Sequence, residues 1–230
     1  MTSPRPQVVA LDGPAGSGKS TVAKQLAQRL GWAHLDTGAM YRAVTWQAMQ
    51  RGIPPGDGAA VAALAEAAHI ELDPATGRVT IDGADVTAPI RTQAVDAGVS
   101  VVAAIAEVRR VMRRHQRAFA TRVGRVVAEG RDMGTRVFPD AILKVFLVAT
   151  VEERVRRRVA ELRGKGAGVD PEAVRKALVE RDRQDASRDE DPLRPAGDAV
   201  EVDTTGRTPP QVVDQILALV TSRVLPSETA

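Results

Sequence analysis

The run Gln7-Val8-Val9-Ala10-Leu11-Asp12 is apolar and rich in β-branched residues, and it stops at Gly13-Pro14-Ala15-Gly16-Ser17-Gly18-Lys19-Ser20. A helical pattern starts directly behind it, with Val22, Leu26 and Leu30 four apart and Gly31 as the stop. The eight residues from Gly13 satisfy G-x-x-x-x-G-K-[ST], in the strand–loop–helix setting that a phosphate-cradling loop requires. Glycines there let successive N–H groups turn inward around a phosphate, and the helix start adds its positive end. Lys19 brings a mobile positive charge to the β and γ oxygens. The Ser20 hydroxyl is suited to Mg²⁺, a hard cation that prefers oxygen ligands. A nucleoside triphosphate is therefore the expected ligand.

The remaining pattern extends this start into an α/β architecture. Ala33–Asp36, Arg125–Glu129, Ile142–Leu147 and Ala199–Asp203 read as further short core strands. Helical spacing covers Ala39–Arg51, Val151–Arg163, Pro171–Ser187 and Pro209–Val224. About five parallel strands flanked by helices are expected. Between Ile53 and Val95 the rhythm changes. A helix near Ala59–Ala68 leads into short runs at Ile70–Leu72, Arg78–Ile81 and Ala84–Thr87, separated by the turn formers Asp73–Gly77 and Asp82-Gly83. These read as antiparallel hairpins of a small inserted subdomain. Helical pattern resumes from Thr92 to about Arg122 with a break near Ala103–Glu107, and Gly164-Lys165-Gly166-Ala167-Gly168 reads as a hinge.

Composition removes several function classes. With no cysteine there is no disulfide framework, thiolate metal site or thiol catalysis. The three histidines, His34, His69 and His115, have spacings that suit neither a metal site nor a serine-type triad. No window of 18 consecutive apolar residues occurs, and the segment before Asp12 lacks a secretory signal, so a cytoplasmic chain with no membrane partner is expected. Arginine outnumbers lysine 27 to 5, which suits phosphate recognition because guanidinium is a planar fork. Nucleic acid is not an expected partner: 29 acidic residues interleave with the arginines, and aromatics make up only 3%.

The chain has no N-K-x-D element for reading guanine, and no apolar strand ends in the Asp-Glu pair of water-activating ATPases. Transfer to an acceptor fits better than hydrolysis. A nucleoside monophosphate is a suitable acceptor, because its phosphate, with a second pKa of about 6, is already largely dianionic at pH 7. Such a reaction needs positive charge around three sets of phosphate oxygens and walls that exclude water.

Four further blocks carry a resemblance. They are Leu35-Asp36-Thr37-Gly38-Ala39-Met40-Tyr41-Arg42, Val86-Thr87-Ala88-Pro89-Ile90-Arg91-Thr92, Glu129-Gly130-Arg131-Asp132-Met133-Gly134-Thr135 and Arg181-Asp182-Arg183-Gln184-Asp185-Ala186-Ser187-Arg188. Together, from Val8 to Val224, they resemble bacterial cytidylate kinase of the P-loop nucleoside monophosphate kinase family. Glu107 departs from the pattern, where the family often has proline, at a helix start away from the chemistry. The resemblance implies one kinase domain with a core of about 7–52, 96–150 and 189–225, an inserted monophosphate-binding subdomain of about 53–95, and a mobile lid of about 151–188.

It also implies roles. Gly13 to Ser20 with Thr21, and Arg157 from the charged helix Val151–Arg163, would bind ATP; Ser20 would hold Mg²⁺. Asp132 would accept from the cytosine amine, with Ser100 and Arg109 on the remaining edge. Arg181 and Asp185 would hold the ribose. Arg42, Arg131 and Arg188 would clamp the acceptor phosphate, with Thr37 and Tyr41 lining its approach. Lys19, Arg131 and Arg188 are the expected catalytic groups, and one arginine among Arg154, Arg156, Arg157 and Arg158 is expected to act in the transition state. CMP or dCMP is the expected acceptor and a monomer the expected state. The alternatives are another acceptor such as UMP or shikimate, and a nucleotide-dependent NTPase that binds nucleic acid.

Overall fold

The computed structural model describes residues 5–164, 168–188 and 190–224. The core of the expected hinge, residues 165–167, lies outside the described residues. The main sheet has five strands: β1 (Gln7–Asp12), β2 (Ala33–Asp36), β6 (Arg125–Glu129), β7 (Leu143–Val148) and β8 (Val200–Asp203), in the order β2-β6-β1-β7-β8. The chain divides into two compact units, Ala33–Val126 and Gln7–Trp32 with Val127 onward.

In the second unit β1, β7 and β8 pair in parallel, with Leu11 opposite Val145 and Phe146 opposite Glu201. Strands buried on both faces need apolar runs, which Val8 to Leu11 and Val145 to Leu147 supply; Lys144, also buried in β7, is paired with Asp198. The helices α1 (Lys19–Leu30) and α8 (Pro209–Val224) pack together. Val22 and Leu26 from α1, and Val212, Val213, Ile216 and Val220 from α8, join Val9, Leu11, Val127 and Leu147 of the strands in one core cluster. Burying a side chain of this size is worth about 1.5–3 kcal/mol, so this cluster holds α1, and the loop ahead of it, on the sheet.

A second apolar cluster matters more for the site. The helices α6 (Val151–Gly164) and α7 (Pro171–Ala186) pack on each other through Val155, Val159, Val174 and Leu178, and Ala15 of the glycine-rich loop sits in the same cluster. The α7 start is capped by Asp170, whose carboxylate accepts from the N–H groups of Glu172 and Ala173.

In the first unit, α2 (Thr37–Gln50) packs on α4 (Gln93–Val102), and α3 (Gly58–Ala67) on α5 (Ala106–Val123). The expected break near 103–107 is a connection of three residues, 103–105. The short strands β3 (Ile70–Leu72), β4 (Val79–Ile81) and β5 (Ala84–Asp85) form the expected antiparallel ladder. Asp82, at a φ of 50°, closes the β4–β5 turn and accepts from Gln47 Nε2 and from the His69 N–H. Among the described residues no helix is long and apolar enough to cross a membrane.

One element was not legible in the sequence. Met133–Val137, to which the sequence assigns no element, is a single wide π turn: Val137 N–H donates to the Asp132 carbonyl at 3.1 Å and Phe138 N–H to the Met133 carbonyl at 2.7 Å. Such turns are rare and concentrate at functional sites.

Candidate active site

The glycine-rich loop joins β1 to α1. Gly13 has a φ of 147°, and a Cβ placed there would lie 2.2 Å from the Leu147 carbonyl oxygen of β7. Only a residue without a side chain lets the loop pass that close to the neighbouring strand. Gly18, at a φ of 90°, is the N-cap of α1 and supplies no side-chain cap, whereas α2 is capped by Asp36 and α7 by Asp170. The first amides of α1 are thus left to the cradle that the loop forms.

Lys19 is buried within this loop, its Nζ donating to the Pro14 carbonyl at 2.6 Å and to Ser17 Oγ at 3.4 Å. Burial, and then the charge of Arg131, push its ammonium pKa down from the usual lysine value, while Glu129 and Asp12 oppose them. That interaction is informative, because Arg131 belongs to a block more than a hundred residues away in sequence. Ser20 Oγ donates to Glu129 Oε2 at 2.6 Å. A hydroxyl against a carboxylate is an all-oxygen donor set of the kind Mg²⁺ takes, so the residues present fit that ion. No group of three or more His, Cys, Asp and Glu is assembled among the described residues, so an ion here would complete its shell with phosphate oxygens and water.

Beyond β6, Arg131 and Asp132 precede the π turn. Arg131 Nε donates to Asp185 Oδ2 at 2.8 Å, and Arg188 pairs with the other oxygen of the same carboxylate. Asp185 is 1% exposed. Burial works against its charge, but Arg131 and Arg188 outweigh it and hold its carboxyl below the usual aspartate range. Arg181 also acts on Asp185 and on Lys19. Asp132 is buried, and its charge reaches Asp12. The structure therefore brings together, in one unit, Lys19, Arg131, Asp132, Arg181, Asp185 and Arg188. The charge-rich run of α7, which on sequence alone reads as a solvated face, turns its Asp185 inward.

The charged helix α6 separates its arginines. Arg156 pairs with Glu153 and Arg158 with Glu161, each on its own helix. Arg154 donates to the Ala15 carbonyl at 3.1 Å and pairs with Asp182 at 2.6 Å. Arg157 donates to Glu153 at 2.9 Å and to the Thr204 carbonyl at 2.6 Å, and its Nη1 comes within 3.4 Å of a Cβ built on Gly18. Arg154 and Arg157, not Arg156 and Arg158, stand beside the glycine-rich loop.

In the unit 33–126, Thr37 and Tyr41 are buried on α2, and Arg42 pairs with Asp96 and donates to the Ile90 carbonyl at 3.3 Å. Arg109 is 2% exposed; it donates to the Ala103 carbonyl at 3.1 Å and lies 5.9 Å from the Tyr41 ring centroid. Ser100 is half-buried on α4. Asp36 pairs with Arg91 at 2.7 Å, joining two of the blocks that carried the resemblance.

The family model for cytidylate kinase matches residues 9–222. The chain belongs to the cytidylate kinase family. Within it, a cytidylate kinase of Streptomyces avermitilis is 47% identical over 216 residues, which cover 93% of this chain and 92% of the relative. A bifunctional pantoate ligase/cytidylate kinase of Synechococcus elongatus is 50% identical over 228 residues, covering 96% of this chain and 43% of the relative. The chain thus spans less than half the length of the bifunctional family members it matches. An uncharacterized protein from Eubacterium ventriosum has the same fold, with a TM-score of 0.55 at 14% identity over 94% of this chain and 99% of that one.

Asp12, Glu129, Asp182 and Thr204 also touch the loop or its neighbours and are not among the residues expected from sequence. Asp12 and Glu129 had a signal: each is the carboxylate that ends an apolar strand, where ligands gather in open parallel sheets. Nothing local distinguishes Asp182 or Thr204.

Proposed function

We propose that the chain transfers the γ-phosphoryl group of ATP, as its Mg²⁺ complex, to CMP or dCMP, giving ADP and CDP or dCDP. The observation that carries the reading is the pairing of Arg131 and Arg188 on the buried Asp185 carboxylate, in the same unit as the glycine-rich loop that encloses Lys19: arginines able to take one phosphate beside a cradle for another. Phosphoryl transfer needs positioned charge more than it needs a base, and the clustered arginines supply it.

On this reading Gly13 to Thr21 hold the triphosphate, and Lys19 neutralises charge at its outer oxygens. Arg157 flanks the donor nucleotide. Ser20 is the side chain that would hold Mg²⁺, with Glu129 orienting its hydroxyl; the ion would supply neutralisation of phosphate charge. Arg131 and Arg188 take the acceptor phosphate and Asp185, with Arg181, the ribose hydroxyls. Asp132 accepts from the cytosine amine and meets the uracil carbonyl as like against like. The family resemblance adds Arg42, Thr37 and Tyr41 for the phosphate and Arg109 and Ser100 for the base. A cytoplasmic monomer is part of the same reading.

The test is a panel of acceptors with Mg²⁺-ATP, followed by ADP release. CMP or dCMP should outpace UMP and shikimate, and ADP release without acceptor should be slow. UMP or shikimate running about tenfold faster than CMP would overturn the reading, since one lost polar match costs about that factor.

A further inference from the structure

Asp12 closes β1 one residue before the glycine-rich loop, and it is buried at 5% exposure. Both of its carboxylate oxygens are used. Oδ1 accepts the Met133 N–H and Oδ2 the Gly134 N–H, each at 2.8 Å. Those amides open the π turn that follows Arg131 and Asp132. The same stretch is tied at its other side by Gly130 N–H, which donates to the Leu11 carbonyl at 3.0 Å. Residues 130 to 134 are therefore suspended from the last two residues of β1 by three hydrogen bonds, with Arg131 and Asp132 displayed between the attachment points.

We infer that Asp12 is a positioning residue: by gripping the Met133 and Gly134 amides it fixes where Arg131 and Asp132 point, and so couples the geometry of the donor loop to the reading of the acceptor. The inference rests on the proposed nucleotide kinase activity for its consequence, though not for its geometry. A carboxylate is the residue type for the task. It offers two acceptors and no donor, so it can hold two diverging N–H groups at once. Burial, and the like charge of Asp132, act against the ionised form and raise its pKa to about 6, while the two amides and Lys19 favour that form. A group so costly to bury in a strand end is kept for what it holds.

The test is Asp12→Asn, nearly isosteric but with one acceptor oxygen replaced by a donor. Amide hydrogen exchange should show Met133 and Gly134 opening roughly tenfold faster or more than in the parent, while the β1 and β7 amides stay protected. In kinetics, KM for CMP should rise about tenfold and the preference for CMP over UMP should narrow, with KM for Mg²⁺-ATP within about twofold of the parent, because only the acceptor loop is loosened. A purely structural role would lower the melting temperature and leave the acceptor preference where it was. If the asparagine variant does not fold, Asp12→Ser keeps one acceptor and serves in its place. Unchanged protection of the two amides overturns the inference. So does a folded variant with open amides and unaltered CMP recognition. A parent chain that phosphorylates no nucleoside monophosphate defeats the proposed function alone, and the exchange measurement still decides whether Asp12 grips the turn.

Discussion

The hydroxyl of Ser20 donates to the carboxylate of Glu129 at 2.6 Å, joining the first turn of α1 to the last residue of β6. Glu129→Ala removes the acceptor and frees the hydroxyl to rotate. The Mg²⁺ concentration giving half-maximal rate should rise several-fold, and kcat should fall by roughly 10- to 100-fold, the usual cost of losing a group that orients a metal ligand. A magnesium titration of initial rates checks this. KM for CMP should be unchanged.

Lys19→Ala should leave the fold intact and lower kcat by roughly 10²- to 10³-fold, the loss expected for one charge aimed at the transferring group. Turnover close to that of the parent would remove Lys19 from the donor site. Circular dichroism and the melting temperature report on the fold.

Asp185→Asn breaks two ion pairs of one buried carboxylate, leaving Arg131 and Arg188 without their shared partner. Removing one member of a buried pair costs about 3–5 kcal/mol, and the upper end is reduced here because Arg131 is one-fifth exposed. Asp185 has its folded pKa held below the unfolded value, so its contribution is complete above about pH 4 and is lost as the pH falls through the folded value. Acid denaturation should therefore separate parent and variant at pH 6 and bring them together toward pH 2.

Asp12 gives the opposite sign. Its folded pKa, raised to about 6, lies above the ordinary aspartate value of 3.8, so the folded state holds its proton more tightly than the unfolded chain does. Ionising it weakens the fold as the pH rises from about 4 through about 6, by at most about 3 kcal/mol for a shift of that size. Urea unfolding of parent and Asp12→Asn across that range should show the variant gaining on the parent as the pH rises. Parallel pH profiles would show that Asp12 does not titrate there.

Gly13→Ala brings a methyl to within 2.2 Å of the Leu147 carbonyl oxygen at a φ of 147°, and backbone cannot yield as a flexible side chain would. The strain should cost about 3 kcal/mol or more and appear as a lowered melting temperature together with lost activity.

The parts of the fold that were legible in the sequence are those with local causes. β1, the glycine-rich loop and α1 lie in one stretch, Gln7–Leu30, and apolar period, glycine placement and helix stop all agree there. The Asp73–Gly77 and Asp82-Gly83 turns likewise announced the antiparallel ladder. What stayed hidden depends on distant partners. The π turn at Met133–Val137 is held from outside by Asp12, so no pattern within 133–137 could have announced it. Asp185 sits in a run of alternating charge whose usual fate is a solvated helix face, and only the fold brings Arg131 to it. Among the arginines of α6, spacing could not separate Arg154, which reaches the Ala15 carbonyl, from Arg158, which meets Glu161 on its own helix.

The methyl of Ala15 is wedged between Val155, Val159, Val174 and Leu178. The paired helices α6 and α7 cannot swing clear of the phosphate loop without wetting that methyl and parting Arg154 from the Ala15 carbonyl. Residue 15 thus ties the loop to the helix pair through its side chain as well as its backbone. A glycine there would remove the methyl from the cluster, and a bulkier side chain would crowd it.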